Sequence, residues 1–274
     1  MSRSRSGPIL FWIVLAVVLA SCRTLPVGEL SDTDAGTQRV VNVVTSGGFA
    51  AAYDMLAPRF ETETGIELIT AYGASSGGAA DSIPVRLERG EQFDVIILSR
   101  SSLDNLTALG EVQPHTRRDL VRSSIGMAVR AGAPVPDIST PELFTAMLLD
   151  AESIAYSASA SGTYLSTVLF PRLGLWGQLE PKSKRILSER VAAVVARGDV
   201  EIGFQQVSEI LPIEGITYVG PIPSEYQKVT TFSAGVTTRA SNIADAERLL
   251  DFLSSREVAA TIAATGLEPV ISGP

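Results

Sequence analysis

From Arg39 onward the chain alternates short apolar, β-branched runs with segments of helical composition, and this alternation most limits the folds open to it. The pattern predicts strands at 40–44, 66–70, 95–98, 125–129, 154–156, 202–204, 216–219 and 234–237. Helices are expected at 50–64, 78–90, 101–110, 141–149, 162–173, 187–197 and 243–254. Strands and helices in strict turn specify an α/β protein built on mostly parallel sheet. At 274 residues the chain exceeds one average domain, which implies a large single domain or two intimate lobes.

The junctions between runs carry the chemistry. Three strand-to-helix turns are rich in Ser and Gly: Thr45-Ser46-Gly47-Gly48, Ser75-Ser76-Gly77-Gly78, and the stretch with Ser157, Ser159, Ser161, Gly162 and Thr163. Hydroxyls there cap helix N–H groups, and Gly lets the backbone approach another group closely. Hydroxyls, backbone donors and a helix dipole together suit an anion. In open α/β sheets, ligands sit outside the carboxyl ends of strands, where these turns fall.

Composition excludes several alternatives. The chain has 22 Lys+Arg against 30 Asp+Glu, a net charge of -8, which opposes a general nucleic-acid binder. One His and one Cys leave no disulfide and no His/Cys cluster for a metal, so neither metal nor cofactor is expected. Gly73-Ala74-Ser75-Ser76-Gly77 matches the nucleophile elbow of hydrolases. Its only possible base, His115, stands in a polar stretch and reads as a solvated loop residue, so no catalytic residues are assigned. Arg117, Arg118 and Arg122 read as a solvated helix face or interlobe surface. Trp176 reads as a core anchor. Arg100 directly follows a strand, and Arg190 precedes a helix; both are candidate anion contacts.

The N-terminus is an address. Arg3 and Arg5 precede the apolar run 9–20, which is too short to span a bilayer and reads as an export signal. Leu19-Ala20-Ser21-Cys22 resembles the bacterial lipobox, whose Cys receives a lipid after cleavage. Residues 1–21 are thus expected to be a lipoprotein signal peptide, and the polar stretch 22–38 a flexible tether to the membrane.

The ordered set TSGGF, YGASS, FDVIILS, SASGTY, GLW and EIGFQQVSE resembles the periplasmic molybdate-binding proteins and the wider type 2 solute-binding superfamily. The resemblance implies two α/β lobes, each a mostly parallel sheet flanked by helices, joined by two hinge crossings. It places the crossings near 122–126 and 229–234, with one lobe from 39–122 plus 235–270 and the other from 123–234. It puts ligand contacts on Ser46, Gly47, Gly48, Ser75, Ser76, Ser161, Gly162, Gln205 and Gln206, with Arg100 added from its strand-end position. The chain departs from that family in offering Gly48 where a serine opens the first helix, and Gln206 where a tyrosine is usual.

The functional expectation is an extracytoplasmic, membrane-anchored monomer in the periplasm or at the cell surface. It would capture a small oxyanion, molybdate or tungstate-like, for the permease of an ABC importer, without chemistry. The alternative rests on the arginines and on similarity to a divergent branch of the superfamily. It is a periplasmic isomerase or binder of a small polycarboxylate of the aconitate type, for which the sequence shows no obvious base.

Overall fold

The computed structural model describes residues 39–271; the expected signal peptide, Cys22 and the expected tether lie outside the described residues. Eleven strands occur in them: β1 Val40–Ser46, β2 Glu67–Gly73, β3 Val95–Ser99, β4 Arg118–Ser123, β5 Ile125–Arg130, β6 Ile154–Ser157, β7 Ser183–Ile186, β8 Ile202–Gln206, β9 Ile216–Pro221, β10 Thr230–Val236 and β11 Glu268–Pro269. They form two sheets, ordered β11-β4-β10-β3-β1-β2 and β7-β6-β8-β5-β9.

Each sheet is covered on both faces, which is why β3 reads as an unbroken apolar run from Val95 to Leu98. Side chains alternate across the strand. Val41, Val43, Val95 and Ile97 therefore pack beneath the helices Gly47–Thr64 and Ile243–Leu253. Val44, Ile96 and Leu98 pack on the other face, against Ile83, Leu87 and Leu103. The second sheet repeats the scheme, with Met127, Ile154, Tyr156 and Phe204 on one face and Ala155, Val191, Val194 and Val195 towards the other. Trp176 joins the former core, its ring stacked 6.4 Å from Phe170.

The expected mostly parallel sheets are in fact mixed. β1 runs parallel to β2 and β3, and β6 to β7 and β8. The strands that carry the chain between sheets, β4, β5, β9 and β10, pair antiparallel. The chain leaves the first sheet at Ser123, enters the second at Ile125, and returns through residues 222–229. The return expected at 229–234 thus lies earlier: residues 230–234 already pair with β3 and β4 in the first sheet. The segment Arg118–Ser123 is a strand rather than a helix face. Its Leu120 and Val121 are buried, while Arg117, Arg118 and Arg122 pair with Asp104, Asp251 and Glu268.

The two crossings are tied together. Ile125 N–H donates to Gln227 Oε1 at 2.8 Å, and Gln227 Nε2 donates to Ile125 O at 2.9 Å. One side chain thus completes a strand-like pair between the outgoing and returning segments.

Candidate functional site

The carboxyl ends of β1, β2, β6, β7 and β8 converge on one cleft of about 510 Å³, lined by residues from both sheets. On the first-sheet side lie Ser46, Gly47, Gly48 and Ser75, with Asp54, Tyr72 and Asp81 beside them. On the second-sheet side lie Ser157, Ser159, Ser161, Ser188, Glu189, Arg190, Gln205, Gln206 and Glu209.

Ser46 occupies the N-cap position of the helix Gly47–Thr64 in extended backbone, yet its hydroxyl caps nothing. It is buried and has no hydrogen-bond partner among the described residues. A buried hydroxyl without a partner costs free energy unless something else engages it. Ser75 is also buried; its oxygen accepts from Ser99 N–H at 3.0 Å. Ser157 and Ser161 pair hydroxyl to hydroxyl at 3.2 Å.

The halves meet at close range. Ser208 Oγ donates to Gly48 O at 2.8 Å, and Ser188 Oγ to Asp81 Oδ1 at 3.4 Å. A Cβ on Gly47 would lie 2.3 Å from Glu209 Oε1, and one on Gly48 would lie 2.0 Å from the Phe232 ring. Phe232 therefore explains why no serine opens this helix: the ring holds the space that a side chain at position 48 would need.

Among the described residues, Arg190 is the one cation lining the cleft. Its loop exists because the helix expected from 187 begins at Val191, leaving residues 187–190 free to face the cavity. Glu209 stands nearby on the short helix Val207–Ile210. Burial raises its pKa to about 7, outweighing Arg190 acting through space and hydrogen bonds from Gln205 and the Gln206 N–H. Gln205 Nε2 donates to Glu209 Oε1 at 2.9 Å, while Val191 N–H donates to Gln205 Oε1 at 2.8 Å. The Gln205 amide is therefore committed to holding Glu209.

Of the residues expected at the site, Ser46, Gly47, Gly48, Ser75, Ser161, Gln205 and Gln206 line the cleft. Ser76, Gly162 and Arg100 are not in its lining. Gly162 packs against its own turn, where a Cβ would fall 1.8 Å from the Ser157 carbonyl oxygen. Arg100 opens the helix Arg100–Ala108, and its guanidinium runs over the first lobe's surface to Asp119 at 3.1 Å and Asp104 at 3.8 Å. Gln206, although in the lining, reaches Thr230 Oγ1 at 3.1 Å and, with its NH2 turned that way, Ser123 Oγ at 2.8 Å and Ser124 O at 3.2 Å. It braces the crossings. Sequence reasoning missed Glu209; its one signal was the spacing of four residues from Gln205 in the QQVSE segment.

A model of the bacterial extracellular solute-binding protein family matches residues 41–268. An aconitate isomerase from a Pseudomonas species is 43% identical over 234 residues, covering 85% of this chain and 89% of that protein. The periplasmic molybdate-binding protein of Azotobacter vinelandii superposes with a TM-score of 0.66 at 20% identity, over 85% of this chain and 100% of its own. The sulfate-binding protein of Mycobacterium tuberculosis gives 0.65 at 19% identity, over 85% and 87%. The two solved structures share the two-lobed fold. No helix among the described residues is long and apolar enough to cross a membrane.

Proposed function

Because the chain belongs to the bacterial extracellular solute-binding protein family, we propose that it captures a small polycarboxylate of the aconitate type in the cleft between its sheets. Arg190 carries this reading, as a cation that forms no ion pair among the described residues and faces Ser-rich turns across the cavity. Guanidinium meets carboxylate through two parallel hydrogen bonds. The hydroxyls of Ser46, Ser75 and Ser161 offer neutral donors to a second carboxylate. A cavity of about 510 Å³ suits an organic acid and exceeds what a four-oxygen ion needs. The name of the 43% identical relative supports the same ligand class.

A tetrahedral oxyanion such as molybdate or tungstate, delivered to an ABC importer, is the second reading. The unpartnered Ser46 hydroxyl favours it, since neutral donors alone hold such ions. In both readings the lobes close about the crossings at Ser124 and 222–229, a population shift driven by ligand contacts made only when closed. Ligand-contact residues common to both are Ser46, Gly47, Gly48, Ser75 and Ser161.

Calorimetry and thermal shift with cis- and trans-aconitate, citrate, molybdate, tungstate, sulfate and phosphate separate the two. The first reading expects both aconitates to stabilise the protein, by about 2.7 kcal/mol at 100 times Kd. Stabilisation by molybdate alone would replace it with the second. Ser161→Asp, which places a negative charge among the donors, abolishes binding in either case; unaltered affinity moves the site elsewhere. Residues 1–21 direct export and Cys22 carries the lipid anchor, so Cys22→Ala shifts the protein from the membrane to the soluble fraction. Unchanged fractionation removes the anchor.

A further inference from the structure

Resting on the polycarboxylate reading above, we infer that Glu209 is a proton-transfer group, so that the cleft isomerises an allylic polycarboxylate and does not only hold it. Glu209 lies in the cleft lining, against the start of the helix Gly47–Thr64, with Arg190 close enough to act on it. Its carboxyl is held in two steps. Val191 N–H fixes the Gln205 amide, and that amide donates to Glu209 Oε1. Among the described residues Glu209 forms no ion pair. A glutamine at 209 would accept the same hydrogen bonds without the cost of desolvating a charge. What the carboxyl alone supplies is exchange of a proton.

The protonation state fits that use. Burial brings the acid and base forms of Glu209 into balance at a pH of about 7, where one group can both take and return a proton. The other ionisable groups lining the cleft are Arg190, Glu189, Asp54, Asp81 and Tyr72. Of these, Tyr72 is raised to about 12 by burial and by its hydrogen bond to Asp54. Glu189 is held low by Arg197. Neither trades protons near neutrality.

The step balances without a co-reactant. In propene-1,2,3-tricarboxylate, Glu209 removes a proton from the methylene carbon, breaking a C–H bond and forming an O–H bond. The electron pair spreads over the three-carbon unit and its carboxylates, where Arg190 and the hydroxyl donors stabilise it. Glu209 then gives the proton to the carbon at the far end of the original double bond. The O–H bond breaks, a C–H bond forms, and the double bond has moved by one position. Nothing is oxidised or reduced. The bound conformation of the former methylene arm decides whether the new double bond is cis or trans.

The test incubates the protein with trans-aconitate in D2O, follows deuterium uptake and cis-aconitate by proton NMR, and measures binding by calorimetry. The expected result is binding, deuterium uptake and interconversion in the wild type. Turnover in Glu209→Gln should fall by about 100-fold or more. Should that variant fail to fold, Glu209→Asp, which withdraws the carboxyl by one methylene, is read in its place with loss of turnover expected. Binding without deuterium uptake in the wild type overturns the inference and leaves the capture reading standing. Undiminished turnover in Glu209→Gln also overturns it. If neither aconitate binds, the polycarboxylate reading fails first and takes this inference with it.

Discussion

The first-sheet side of the cleft offers Ser46, Ser75 and the start of an 18-residue helix, with its acids Asp54 and Asp81 set beside them. The second-sheet side supplies the cleft's cation, Arg190, and its partly buried carboxyl, Glu209. An acidic chain of net charge -8 must hold an anion by local donors. The difference between the halves separates two tasks. The first-sheet side can orient an anion by its hydroxyls and helix N–H groups. Under the proposed function, Arg190 and Glu209 on the second-sheet side would set which anion is accepted and whether a proton moves on it. Each half can be perturbed alone.

The largest effect tests the glycines of the two sides against each other. Gly162→Ala drives a methyl group into the Ser157 backbone carbonyl, 1.8 Å away, and backbone at the end of a buried strand cannot step aside. We expect a loss of about 3 kcal/mol or more in urea unfolding. Gly47→Ala meets the tip of the Glu209 side chain instead, which can rotate. Its stability should change by about 1 kcal/mol or less, while proton transfer by the displaced carboxyl should suffer. Equal destabilisation by the two would show that the halves are equally rigid and that Glu209 is fixed in place.

Arg190→Gln comes next. Removing the cation should weaken polycarboxylate binding by about 2 kcal/mol, roughly 30-fold, by calorimetry. Arg100→Gln, at the exposed pair with Asp119 and Asp104, should leave affinity unchanged. The reverse result would return the anion contact to the strand end where sequence alone had put it.

That contrast marks where the sequence could be read. Ser46-Gly47-Gly48 and Ser75 were legible because a turn is made by consecutive residues, and a strand's carboxyl end fixes what its next residues face. The central strands were legible for the same reason, since VIIL is apolar on both faces and VVNVV departs from that only at Asn42. β4 was hidden by charge: Leu120 and Val121 supply its burial, while its arginines satisfy surface acids. Glu209 was hidden by assembly. Nothing in QQVSE announces that Gln205 will be turned by Val191 N–H, or that the carboxyl will face a glycine of the other lobe. Arg100 misled because a strand end gives a residue's position but not the direction of a long side chain, which here follows its helix to Asp104.

The third test is pH. Glu209 titrates at about 7 in the folded protein, above the ordinary value of 4.5. Between these values the folded state keeps a proton that the unfolded state has released. Its contribution to stability therefore declines as pH rises through this window and is gone above about 7, by on the order of 1–3 kcal/mol. Glu91 and Glu189, held low by Arg86 and Arg197, have the opposite sign. Their contribution is present above the ordinary carboxylate value and is lost in more acid solution. Melting temperatures from pH 5 to 8 should fall for the wild type and flatten for Glu209→Gln. A wild-type profile as flat as the variant's would place the carboxyl in ordinary solvent.

The smallest effect bears on the first-sheet side. An N-cap serine replaced by alanine ordinarily costs about 1 kcal/mol of stability because it frees a helix N–H. Thr140 shows the ordinary case, accepting from Leu143 N–H at 3.3 Å, and Thr140→Ala should lose about that much with no change in binding. Ser46 sits at the same position of its own helix but makes no such bond. Ser46→Ala should therefore leave urea unfolding unchanged or slightly raise stability, and weaken anion binding by about 1 kcal/mol, roughly fivefold. If Ser46→Ala destabilises the free protein as Thr140→Ala does, its hydroxyl is a helix cap in solution, and the first-sheet side loses its best-placed donor to the ligand.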